Sequence, residues 1–220
     1  TEVINNYLEH NFELLGSGWI NVNLQKSQII NTSNRRYSNT VKKLISNKYH
    51  YIDWHTDFKS NHTWNVSKFS KKIKLKYNKG FDIKIPWELA RLQHLPQLAL
   101  YYNKIKSDEE KSLIIDEFRN QVLDFIYSNP VRYGVNWICT MDVSIRCTNL
   151  LLAYDIFINN NYEFDNEFNT IFYNSIIDHY NFIIKNLEWN KSYQGNHYLS
   201  NICGLIWACC YLERNFNFEN

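Results

Sequence analysis

From Ile85 onward, apolar residues recur at intervals of three and four, the spacing that puts them on one face of an α-helix. Little interrupts the pattern. Only 6 glycines and 3 prolines occur in 220 residues, which leaves few turn formers for a β-sandwich and favours long helices. Pro86 suits the first turn of a helix carrying Trp87-Glu88-Leu89-Ala90-Arg91-Leu92-Gln93-His94, and Pro96 is expected to kink or divide it. Ser107 with Glu110 makes a capping box ahead of a stripe of Ile114, Phe118, Val122, Phe125 and Ile126. Asn129-Pro130 ends that helix. The next, from about Trp137 to Ile158, is apolar almost all round, so deep burial is expected. Asp165 is placed to cap another, with Phe168, Phe172, Ile176, His179, Ile183 and Leu187 on one stripe. The last is expected from Tyr198 to Leu212. Leu151, Phe172, Ile183, Leu205 and Trp207 are the expected core residues. Helix starts recur roughly every 25–35 residues without sequence repetition, the rhythm of antiparallel hairpins wound as an α-solenoid or an α/α toroid. The fold class is read as all-α, part of an incomplete α/α toroid.

The first 80 residues follow no single period, which divides the chain into an irregular region over 1–80 and toroid helices over 81–220. Val3 to Leu15 has helical spacing and stops at Gly16-Ser17-Gly18. Trp19 to Leu24 alternates like a short strand. Tyr51 to Phe69 mixes Trp54, His55, Asp57, His62 and Trp64 with polar residues and reads as a long ordered loop carrying aromatic platforms. The chain starts at Thr1 inside a helical pattern, so more sequence is expected upstream.

Charge and cysteine content narrow the partners. A formal net charge of +2 carries no nucleic-acid footprint. The lysines of Ser70-Lys71-Lys72-Ile73-Lys74-Leu75-Lys76 alternate with apolar residues and read as a solvated strand or loop face. No run of 18 apolar residues is present, so no membrane span is expected. Cys139, Cys147, Cys203, Cys209 and Cys210 show no CxxC spacing and mostly sit in apolar stretches. They read as small core residues, with neither a disulfide framework nor a zinc site, and no cofactor is expected.

Four stretches put polar groups where a helical toroid needs apolar ones. The first carries Trp87, Glu88, Arg91, Gln93 and His94. The second runs from Asn136-Trp137 to Asp142 and Arg146, whose i,i+4 spacing allows an internal salt bridge. Asn186-Leu187-Glu188-Trp189 is the third. The fourth is Gln194-Gly195-Asn196-His197-Tyr198-Leu199-Ser200-Asn201, an amide and an imidazole behind a glycine at the mouth of an apolar helix. Locally that pair reads as a helix cap. It also suits a site that grips an anion and handles a proton, since an amide donates without charge and an imidazole titrates near neutrality. Tryptophan beside Arg, Asn and Glu is the chemistry of a sugar cleft, an indole face for the ring and forked donors for hydroxyls and carboxylates.

These stretches resemble, in order, signatures of the heparinase II/III and alginate lyase-like polysaccharide lyases. Phe81 to His94 resembles that family's WEL-R helix. Gly134-Val135-Asn136-Trp137 with Met141 to Arg146 resembles the second signature, Asn186 to Trp189 the third, and Gly195 to Asn201 the fourth. His10 to Gly18 resembles the family's N-terminal opening. The resemblance implies an N-terminal α/α toroid followed by a C-terminal β-sandwich domain. It also implies β-elimination on an acidic, uronic-acid-containing polysaccharide of glycosaminoglycan or alginate type, in a bacterial periplasmic or secreted setting. Asn196 and His197 match the family's carboxylate-neutralising Asn and the His that often follows it. Trp87, Glu88, Arg91, His94, Trp137, Asp142, Arg146, Trp189 and Tyr198 are the matching candidates for substrate binding.

The family's catalytic Tyr, and a His from the β-sandwich, have no counterpart before Asn220. The chain is therefore expected to be the N-terminal part of a catalytic toroid, inactive alone, with acidic polysaccharide as its partner. Two rival readings stand. One is a non-catalytic sugar-binding or assembly protein of polysaccharide production. The other is an α/α-toroid glycoside hydrolase, which needs two opposed carboxylic acids, and for which Glu88, Asp142 and Glu188 are the available acids.

Overall fold

The computed structural model describes residues 2–25, 38–75, 80–192 and 195–216. Gln194, and Lys76 of the lysine run, lie outside the described residues. The chain is all-α in class, built of packed helices with two small hairpins near its start. Its helical-hairpin arrangement is that expected for part of an α/α toroid.

The N-terminal helix α1 spans Glu2–Leu8, shorter than its spacing predicted. Phe12 and Leu14 are buried while Leu15 is exposed. That is a period of two, and the segment forms strand β1 (Asn11–Glu13) against β2 (Trp19–Asn21). His10 turns the chain between α1 and β1 at φ 56°. Helix α2 (Ser38–Leu44) was not anticipated. It follows a stretch too polar to show a helical stripe and packs on the long helix α5 (Asp108–Ser128).

The aromatic segment before Phe69 contains a minimal hairpin, β3 (Thr56–Asp57) paired with β4 (His62–Thr63). Its tryptophans are not platforms. Trp54 is fully buried edge-on to Phe125, with ring centroids 5.3 Å apart, and Trp64 is buried against Phe81. Indoles bury large areas, and here Trp54 joins the main core while Trp64 anchors a small second cluster with Ile83 and Val135.

Helix α3 (Lys84–Ala90) is separated from α4 (His94–Tyr102) at Leu92, which adopts φ 56°. The division therefore falls before Pro96, which sits in the first turn of α4, where a missing N–H costs nothing. Ser107 caps α5 by accepting from the Glu110 N–H. Asp165 accepts from the Phe168 N–H at 2.8 Å and starts α7 (Asn166–Lys185). Between them lies α6 (Thr140–Asn159), preceded by a 3-10 turn at Val135–Trp137. α6 packs against α4, α7 and the last helix, α8 (Asn196–Phe216), which is why its apolar residues lie almost all round. No helix among the described residues is long and apolar enough to cross a membrane.

Of the five expected core residues, Leu151, Phe172 and Ile183 are buried, but Leu205 and Trp207 are only half-buried. The buried stripe of α8 is Asn201, Gly204, Ala208 and Tyr211, of which Gly204 lets α8 approach Ser144 of α6 closely. Cys203, Cys209 and Cys210, expected inside, lie on the exposed face of α8, while Cys139 and Cys147 are buried.

Candidate functional site

Two clusters of polar side chains meet at the N-terminal end of α6. In the first, Arg91, just past the end of α3, forks between two carboxylates. Its Nη1 donates to Glu88 Oε2 at 2.6 Å and its Nε to Asp142 Oδ1 at 2.7 Å. Gln93 donates to the other oxygen of Glu88, and Trp87 Nε1 donates to the Val135 carbonyl at 2.9 Å. Asp142 is thus paired across elements and not with Arg146, its expected i,i+4 partner. The guanidinium of Arg146 runs into the core, where Nε donates to His179 Nε2 at 3.0 Å and Nη2 to the Asn136 carbonyl at 3.1 Å.

The second cluster centres on Glu188, in the connection between α7 and α8. Its Oε2 accepts from the Met141 N–H at 2.8 Å, an unpaired donor in the first turn of α6, where the helix dipole favours a carboxylate. Its own N–H donates to Oδ1 of buried Asn201 at 2.8 Å, which ties the connection to α8. Oε1 stands 3.0 Å from Nδ1 of His197 and 3.8 Å from Sγ of Cys139, the N-cap residue of α6. Burial first, and then Asp142, push the Cys139 thiol well above its ordinary range. The carboxylate of Asp142 therefore touches both clusters, through Arg91 and through Cys139.

His197 keeps 47% of its side chain exposed, so the pair lies open to solvent. A neutral imidazole that donates from Nδ1 to a carboxylate carries its lone pair on Nε2. Asn196 beside it is exposed, Tyr198 is half-buried, and the indole of Trp189 is largely exposed. Trp87, Glu88 and Arg91 are partly exposed near the first cluster. On the other side of Glu88, a cavity of about 430 Å³ is lined by Tyr7, Trp19, Glu88, Gln93 and Gln97 among others. Trp19 was read only as a strand residue, and its half-exposed indole gains this setting only through the β1–β2 hairpin.

Three candidates from the sequence face inward. His94 is buried with Nε2 2.5 Å from Gln121 Oε1, packed on Phe12, and burial lowers its pKa to about 4. Trp137 is buried on His179 and Phe182, its Nε1 donating to the Asn129 carbonyl. Arg146 lies between the rings of Phe125 and Trp137, at 4.5 and 5.0 Å from their centroids. His94 still lines the cavity beside Glu88 and Gln93, whereas Trp137 and Arg146 are packed in the core. Helical spacing placed them on the right elements but does not distinguish a polar group aimed at substrate from one satisfied in the core. Cys139 and Asn201 were missed as members of the site, and Glu188 was read only as an available acid. Asn201 and Glu188 stand inside the signature stretches, so a signal existed for both.

The family model described as Heparinase II/III N-terminus matches residues 9–213. The chain belongs to this family. Membership relates it to the heparinase-type polysaccharide lyases. Comparison with curated proteins and with solved structures finds no match.

Proposed function

We propose that this chain is the toroid part of a polysaccharide lyase that cleaves a uronic-acid polymer by β-elimination. In this reading Asn196 donates to the uronate carboxylate. His197 accepts the C5 proton through Nε2 on substrates whose proton faces the imidazole. The electron pair of the broken C5–H bond flows toward the carboxylate, which gains enolate character. It then forms the C4–C5 double bond as the C4–O bond breaks and the departing oxygen takes a proton. Charge builds on the carboxylate oxygens before that bond breaks, so a donor aimed there acts where the transition state needs it.

The observation that carries this reading is the Glu188–His197 pair beside exposed Asn196. A carboxylate behind Nδ1 orients the ring and fixes the tautomer that leaves Nε2 free to accept. Trp87, Glu88, Arg91, Trp189 and Tyr198 are the proposed substrate contacts, and an acidic polysaccharide is the proposed partner. The hydrolase alternative draws no support from the carboxylates. Glu88 and Asp142 share one guanidinium, and Glu188 is committed to a backbone N–H and His197. The non-catalytic alternative predicts polymer binding without bond cleavage.

The test uses the complete protein that carries this domain, supplied with alginate- and glycosaminoglycan-type polymers. Ultraviolet absorbance of an unsaturated uronate product separates a lyase from a hydrolase or a binder. Asn196→Ala is expected to lower turnover by about 10²–10³ with a small change in substrate affinity. Unchanged turnover in that variant returns Asn196 to the role of a helix cap. Polymer binding with no new absorbance from the parent protein favours the non-catalytic alternative.

A further inference from the structure

We propose that Cys139, Glu188 and His197 form a binding site for a zinc-class divalent cation at the N-terminal end of α6. One ligand atom from each, Sγ, a carboxylate oxygen and a ring nitrogen, lies within 4.8 Å of the other two. Glu188 Oε1 stands 3.8 Å from Sγ and 3.0 Å from Nδ1. A tetrahedral zinc with bonds of about 2.0–2.3 Å holds such ligands roughly 3.3–3.6 Å apart. The observed spacings bracket that range. His197, the most exposed of the three, is the side chain with room to close the remaining gap.

The donor set selects the metal. Thiolate, imidazole and carboxylate together suit zinc or cobalt, whereas calcium and magnesium take oxygen ligands. The three residues come from separate elements: the N-cap of α6, the α7–α8 connection and the first turn of α8. Their outer partners are already in place. Oε2 of Glu188 is held by the Met141 N–H at 2.8 Å and by Asn201 Nδ2 at 3.4 Å, which turns Oε1 toward Sγ and Nδ1.

A second observation, at Asp142, favours a cation at this corner. Asp142 is 2% exposed, and its Oδ2 has no hydrogen-bond partner even though Oδ1 takes Arg91. A buried carboxylate oxygen with no donor is costly. Asp142 lies against the Cys139 thiol, so a cation on Sγ supplies the charge that Oδ2 lacks. Around this corner, the carboxylates of Glu88, Asp142 and Glu188 outnumber the guanidinium groups of Arg91 and Arg146. Binding converts the Cys139 thiol to thiolate and releases its proton to solvent, with no redox step. Three protein ligands leave a fourth position for water or a ligand oxygen, the arrangement of an open zinc site. Metal on Nδ1 leaves the ring proton on Nε2, so the metal-bound and the proton-accepting forms of His197 are alternative states, and the site can be tested without the elimination reaction.

Cobalt(II) titration under reducing, anaerobic conditions tests the proposal. The chain should first have Cys203, Cys209 and Cys210 replaced by serine, since these exposed thiols compete for metal. A thiolate-to-cobalt charge-transfer band saturating at one equivalent, and displaced by zinc, is expected. Cys139→Ser on that background should abolish the band. His197→Gln and Glu188→Gln should each weaken zinc binding, measured by calorimetry, by about tenfold or more, at least the loss that removing an outer partner causes. Circular dichroism of each variant checks that the helices persist. A natively helical parent that shows no band, or a band that survives Cys139→Ser, overturns the site.

Discussion

Arg146 shows how far one residue's surroundings override its type. It is a cation with no exposure to water, held between two aromatic faces and bonded to the Asn136 carbonyl and to His179. Burial lowers its pKa to about 9, yet that still leaves it charged at neutral pH. His179 must be neutral to accept from it, and burial followed by repulsion from Arg146 takes the His179 pKa to about 3. A planar fork fits these partners and a single ammonium does not. Arg146→Lys should therefore cost about 1–3 kcal/mol through buried acceptors left without a donor. Urea unfolding monitored by circular dichroism reads that loss, and an unchanged midpoint would mean the fork carries no weight. The i,i+4 spacing of Asp142 and Arg146 was visible in the sequence. Their actual partners were not, because both come from elements distant in the chain.

At the scale of elements, α8 is the instructive case. Its existence and its start at the Gly195-Asn196-His197 stretch were readable from apolar content and the preceding glycine. Its facing was not. Large apolar residues suggested Leu205 and Trp207, yet small residues mark the contact. A Cβ built on Gly204 would stand 2.8 Å from Ser144 Cβ and 2.9 Å from Ser144 Cα on α6. Gly204→Ala should therefore push α8 away from α6 at a cost of roughly 1–3 kcal/mol. Leu151→Ala, inside α6, should cost roughly 2–5 kcal/mol by leaving a cavity. Chemical denaturation of the two variants checks both. A silent Gly204→Ala would show that the α6–α8 contact yields easily. α1 teaches the converse, since the apolar residues of Val3–Leu15 satisfied a helical template by count. The alternation of Phe12 and Leu14 won because β2 was available to pair with them.

For the whole molecule, buried imidazoles set the response to acid. Burial lowers the pKa of His55, His94 and His179, the last two to about 4 and about 3. Each is neutral when folded and takes up a proton near 6.5 when unfolded, so the unfolded state binds more protons below that pH. Stability from these groups is complete above about 6.5 and is lost as pH falls toward their folded values. Two groups oppose them. Burial raises Asp124 to about 6, so its contribution grows as pH falls below that value. For His10, burial is outweighed by Glu117 and Asn23, which leave its pKa raised and its pairing strongest in acid. Three imidazoles against these two predict a lower urea midpoint at pH 5 than at pH 7. A midpoint that rises on acidification would show that Asp124 and His10 dominate.

The sequence by itself determined the class of the fold and the positions of its helices from Ile85 onward. Those depend on local physics: the 3.6-residue period, the side-chain caps at Ser107 and Asp165, and the scarcity of glycine and proline. It also marked the stretches that carry Glu88, Arg91, Glu188, Asn196 and His197. Only the tertiary structure decided which polar groups face solvent and which are satisfied inside. It sealed Trp137 and Arg146 in the core and set His94 against the cavity beside Glu88. It also brought Cys139 to Glu188 and His197 across the first turns of α6 and α8. Helix periodicity reports the face a residue occupies, but the partner on that face comes from elsewhere in the chain. That choice is made by packing, where every buried donor and acceptor must be matched at once.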